Sequence, residues 1–175
     1  NRALYNQLLT ELARPLIIAT MEAGFDEASE LIGFEYGFDV TNPKIQRWIG
    51  NRLVLIKDIN KTTEDLLREA LRTGINEGEG ISQLAERVTE VFNAAKGWRA
   101  ENIARTETIS AYVEGNIELY QEANITELEF YTATDERVCE DCTANHGVRY
   151  AINESTGVIP VHPSCRCDFI PIVER

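Results

Sequence analysis

Apolar residues recur every three or four positions over most of the chain, and that period changes only after Asn124. Leu4, Leu8, Leu12 and Leu16, continued by Ala19 or Ala23, predict an amphipathic helix over residues 1 to about 23. Pro15 lies inside this run, where it removes a backbone donor and crowds the preceding turn. It either kinks the helix or starts a second one. Residues 26–38 combine a short helical turn with Gly33, Gly37 and three aromatics, and read as a loop or short connector. Thr41 or Asn42 before Pro43 is a helix start, and Ile45, Trp48, Ile49, Leu53 and Ile56 mark one face up to about Ile59. Thr62 or Thr63 caps the next helix, whose stripe is Leu66, Leu67, Ala70 and Leu71 and whose end is set by Gly74, Gly78 and Gly80. Ser82 caps a further one bearing Leu84, Ala85, Val88, Val91, Phe92 and Ala95, with Gly97 as its stop. The longest pattern runs from Trp98 to Glu122. Its apolar stripe is Ile103, Thr106, Ser110, Val113, Ile117 and Tyr120, and a row of small residues, Ala104, Thr108 and Ala111, suits close approach by another helix.

Beyond Asn124 the pattern alternates. Leu128 to Thr132, Val148 to Ala151 and Arg166 to Val173 read as strands, the last edged by Pro171. The predicted class is α+β, a mainly helical body followed by a small β-rich C-terminal unit. The expected divisions are 1–58, a helical region of unassigned role, then 59–126 and 127–175. No internal repeat interrupts this order.

The formal charge of −12 changes the picture of partners. An acidic surface repels phosphate backbones, which disfavours sequence-independent nucleic-acid binding. No apolar run reaches the length of a membrane span, so the protein is expected to be soluble. The chain begins at Asn1 and shows no signal peptide. It therefore reads as a fragment of a product made in a reducing compartment.

Candidate chemistry is confined to one stretch. All four cysteines and both histidines fall between Thr132 and Pro171. Cys139 and Cys142 form a CxxC, and Cys165 and Cys167 a CxC about twenty residues later, the spacing of a tetrahedral structural zinc site. Cys139, Cys142 and Cys165 are the first three ligands. Cys167, on the same strand face as Cys165, competes with His162, an x-x partner of Cys165, for the fourth position. His146 before Gly147 reads as a hydrogen-bonded turn residue. Two disulfides or free thiols are the alternatives, but the rest of the chain holds no cysteine over which a bridge framework would spread. A module of this size also buries too little apolar surface to fold unaided. The tripeptide Arg105–Thr106–Glu107 reads as a helix surface with one polar bond into the next layer rather than as a catalytic group.

I-A-R-T-E-T (Ile103 to Thr108), T-D-E-R-V-C-E-D-C (Thr134 to Cys142), His146–Gly147 and V-H-P-S-C-R-C (Val161 to Cys167) together resemble the phage Mu F-like head morphogenesis family. The resemblance covers residues 60 to 172. It implies a minor head protein of a tailed bacteriophage or prophage, acting with the portal and other head or procapsid proteins and affecting DNA packaging or ejection. The implied location is the interior of the virion head, and the host cytoplasm before assembly. It implies no enzymatic reaction. Two other readings remain at this point: a zinc hydrolase or nuclease using His146 or His162 with Asp135 or Glu136, and a zinc-stabilised adaptor.

Overall fold

The computed structural model describes residues 2–133 and 135–173. The side chains of Ile56, Ile59, Ala95 and Trp98, and the motif residue Thr134, lie outside the described residues. Four long helices come first: α1 (Arg2–Ile32), α2 (Pro43–Asn76), α3 (Ile81–Lys96) and α4 (Trp98–Glu122). Strand β1 (Glu127–Tyr131), the short helix α5 (Glu140–Asn145), β2 (Arg149–Ala151) and β3 (Asp168–Pro171) follow. The sheet is antiparallel in the order β2-β1-β3, with Leu128 opposite Tyr150 and Phe130 opposite Phe169. The class is therefore α+β, a mainly helical chain ending in a small sheet, as the change of period predicts.

Three boundaries differ from expectation, and each has a local reason. Pro15 does not split α1, which runs past the expected end near residue 23 and through the first part of the expected connector to Ile32, stopping where Gly33 takes a φ of 71°. Thr62 and Thr63 do not start a helix but lie within α2, because no proline or glycine between Arg52 and Thr73 breaks the run. Helix α3 begins after Gly80, not Ser82. The N–H of Gly80 donates to Gln83 Oε1 at 3.0 Å, so glutamine rather than serine satisfies the end.

The chain divides into two units, Asn1–Arg14 with Arg47–Asn102, and Pro15–Gln46 with Ile103–Arg175. In the second unit Phe25 and Ala28 of α1, Val113, Ile117 and Tyr120 of α4, and Leu128, Phe130 and Phe169 of the sheet form one core with three of the cysteines. The buried face of α1 is thus Ile17, Met21, Phe25 and Ala28. The predicted leucine stripe is exposed instead, Leu12 by 68% and Leu16 by 69%. Close helix contact is likewise made elsewhere than Ala104 and Thr108, which are both exposed. It falls at two glycines. A Cβ on Gly24 would lie 2.1 Å from the Tyr112 carbonyl oxygen, and one on Gly115 2.0 Å from that of Met21.

Polar residues of α4 are drawn into this core. Asn42 Nδ2 donates to the buried Glu118 at 2.6 Å. One turn earlier, burial pushes Glu114 up to about 7, against a 3.3 Å hydrogen bond from Thr156 Oγ1 and with help from the charge of Glu118. A carboxyl raised in the fold binds its proton more tightly there than in the unfolded chain. Its contribution to stability is present below about 4.5, the unfolded value, and is lost as pH rises through about 7. Glu114→Gln is therefore expected to raise the thermal midpoint at pH 8, by on the order of 2 kcal/mol of stability, and to change little at pH 4. Melting curves at the two pH values check this.

Candidate metal centre

The first sulfur pair rides on the start of a helix. Cys139 is the N-cap of α5, and its Sγ accepts the N–H of Cys142 at 3.4 Å. One helical turn thus turns both sulfurs the same way. Thr143 Oγ1 donates to the Cys139 carbonyl at 2.9 Å and ties the turn down. The chain leaves α5 through Gly147, whose φ is 78° and whose N–H donates to the Phe130 carbonyl of β1 at 2.8 Å.

The second pair sits on the loop entering β3. Ser164 takes a φ of 61°, a left-handed conformation costly for a residue with a side chain. Its N–H donates to Thr106 Oγ1 of α4 at 3.2 Å, and the N–H of Cys165 donates to the His162 carbonyl at 3.1 Å. These bonds fold Val161–Cys167 back on itself. Arg166 points outward and grips Asp135, just ahead of the first pair, with two bonds of 2.6 and 2.7 Å. The Arg166 guanidinium holds the Asp135 carboxyl far below its ordinary range, and Arg137 adds to the effect. The two sulfur-bearing segments are thus clasped by side chains as well as by their own donors.

Five side chains converge. Cys139, Cys142 and His162 bring their ligand atoms within 4.8 Å of one another, and so do Cys142, Cys165 and Cys167. His162 Nε2 lies 3.2 Å from both Cys139 Sγ and Cys142 Sγ, and Cys142 Sγ lies 3.9 Å from Cys165 Sγ. A carbonyl oxygen only accepts, so the 2.9 Å contact between His162 Nδ1 and the Pro163 carbonyl places the ring proton on Nδ1. The Nε2 lone pair then faces the two sulfurs. The four thiols are free, with no disulfide among them.

Electrostatics divides the sulfurs. The N–H of Cys142 holds the Cys139 thiol down, while burial pushes Cys142 above the ordinary thiol range and Cys167 up to about 11. For Cys165 burial works upward, but the N–H groups of Cys167 and Val161 outweigh it and the thiol is lowered. Anionic sulfurs this close repel one another unless a cation lies between them. Zn–S bonds of about 2.3 Å give a tetrahedral edge of about 3.8 Å, close to the observed Cys142–Cys165 separation. This cluster of soft donors is able to hold a metal ion, and its chemistry suits zinc.

His146 is not part of either cluster. Its Nδ1 accepts the N–H of Thr132 at 3.2 Å, and its ring packs against Tyr131 at 5.3 Å between centroids, which holds the end of β1. The part played by Thr106 was not visible in the sequence beyond one polar bond into the next layer, because nothing in a helical stripe reveals a partner 58 positions away. Thr106→Val is expected to leave helix content unchanged. It removes a hydrogen bond of about 1 kcal/mol, so zinc transfer to a chelator should run several-fold faster, while Thr106→Ser stays near wild type. Stopped-flow metal transfer provides the check.

Among the described residues no helix is long and apolar enough to cross a membrane. A family model described as phage Mu protein F like protein matches residues 65–170, which take in α3, α4, the sheet and both sulfur pairs. No curated protein and no solved structure matches the chain.

Proposed function

The chain belongs to the phage Mu protein F-like family, and from that premise we propose that it acts as a minor head protein, joining the portal and other procapsid proteins while the head is built. Family membership points to a phage head or morphogenesis protein. The step proposed here is finer: incorporation into the head interior in few copies, beside the portal, before DNA is packaged. The observation that carries it is the family match itself, which spans every element of the metal centre. The test is co-expression of the chain with the portal protein of its own phage or prophage, followed by co-purification and mass analysis of assembled particles. A stable complex and a low, fixed copy number in particles are expected. Particles that form with normal yield and composition without the chain would overturn the reading.

Within that role the metal centre is a structural clamp. Zinc is held by Cys139, Cys142 and His162 with Cys165 as the fourth ligand, and Cys167 is the alternative fourth donor. The Nε2 lone pair of His162 and the Cys142–Cys165 spacing support this set. The bound ion supplies a cross-link between α5 and the loop before β3. Asp135, a candidate general base, is engaged by Arg166, and His146 by Thr132, which favours a clamp over a hydrolytic centre. Four protein ligands also leave no open position for a reacting water.

A further inference from the structure

The first unit carries apolar rows that its own fold leaves uncovered. On α3, Ile81, Ala85, Val88 and Phe92 share one helix face, and Ile81 is 87% and Phe92 44% exposed. On α2, Leu55 and Leu66 stand three turns apart on one face, and both are at least half exposed. The start of α1 adds Leu4, Leu8 and Leu12, each one turn from the next. Between Val54 and Asn102 the single buried position among the described residues is Gly74. Helix α3 packs Leu84 against Gly74 of α2, which leaves Ile81 and Phe92 uncovered on the rest of its apolar face.

Charge separates the two units. The first holds eleven Lys and Arg against ten Asp and Glu, a net +1, which leaves −13 for the second out of the total of −12. A basic partner would therefore be drawn to the second unit. The surface that matches a neutral, apolar face of mixed charges is another of the same kind.

We propose that the first unit is a self-association surface, through which two copies of this chain pair by their exposed apolar rows on α1, α2 and α3. Exposed side chains of this size present on the order of 100 Å² each. Summed over the three helices, those named approach the roughly 800 Å² that each partner contributes to a stable interface. An isologous pairing uses the same rows on both copies and adds no net charge to the contact. The second units, each at −13, repel. Salt screens that repulsion and leaves apolar burial intact.

Sedimentation velocity on the full zinc-loaded chain, from low to high micromolar concentration and at physiological and high salt, tests the pairing. A dimer mass is expected, held at least as tightly at high salt. The double variant Ile81→Glu and Phe92→Glu is expected to weaken it by tenfold or more with zinc content unchanged. Because Ile81 is nearly fully exposed, Ile81→Glu alone also gives a readable shift without disturbing the fold of one chain. A monomer throughout the range, a dimer that the double variant leaves intact, or one that salt dissociates would each overturn the proposal. So would a monomer that binds another head protein through these residues.

Discussion

Cys142→Ser is expected to abolish stoichiometric zinc binding and to remove the cooperative melting of the second unit. Cys142 is 3% exposed and is the residue shared by both ligand groups, so its loss parts Cys139 and His162 from Cys165 and Cys167. Structural zinc contributes on the order of 10 kcal/mol to small folds, more than the net stability of most domains. The loss will not stop at the sheet. Cys142, Cys165 and Cys167 lie in the same buried cluster as Phe25 and Ala28 of α1 and Val113 and Ile117 of α4. Exchange of backbone amides should therefore quicken in the later part of α1 and in α4 as well as in β1 and β3. A strong chelator should reproduce the effect on the unaltered protein. Equal midpoints with and without chelator, or one zinc per chain in Cys142→Ser, would show that the sulfurs do not hold the fold together.

Gly115→Ala is expected to destabilise the second unit by about 3 kcal/mol or more, a drop of roughly 10 °C in its midpoint. The added methyl would sit 2.0 Å from the Met21 carbonyl oxygen and within 3.0 Å of the Phe25 nitrogen, backbone atoms that no rotamer change can move aside. Helices α1 and α4 must part to admit it, which opens gaps around Met21 and Phe25, both fully buried. Gly50 in α2 supplies the contrast. A Cβ there meets nothing within 4 Å, so the same substitution gains helix propensity of about 0.5–1 kcal/mol. Opposite shifts for the two variants in thermal melts would confirm the helix contact. A neutral Gly115→Ala would remove it.

The class of the fold and the place of the Cys/His cluster were legible because they rest on local signals. A change of period marked β1, β2 and β3, and sulfur spacing marked both halves of the cluster. What was not legible depends on distant partners. The leucines Leu4, Leu8, Leu12 and Leu16 satisfy helical spacing as well as Ile17, Met21, Phe25 and Ala28 do, and only packing decides which set is buried. Gly115 looks like a weak point in a helix until Met21 is placed against it. Thr62 and Thr63 carry cap chemistry, but a cap acts only where the helix has a reason to begin. The orientation of the His162 ring is likewise set by a local contact, Nδ1 against the Pro163 carbonyl, that no spacing rule encodes.

Cys139 opens α5 with the same sulfur that it turns toward Cys142 and His162. Serine, aspartate or asparagine would begin that helix equally well, yet each offers a hard oxygen where a soft donor is wanted. The acceptable alphabet at this position is the overlap of two vocabularies, and the overlap contains a single letter.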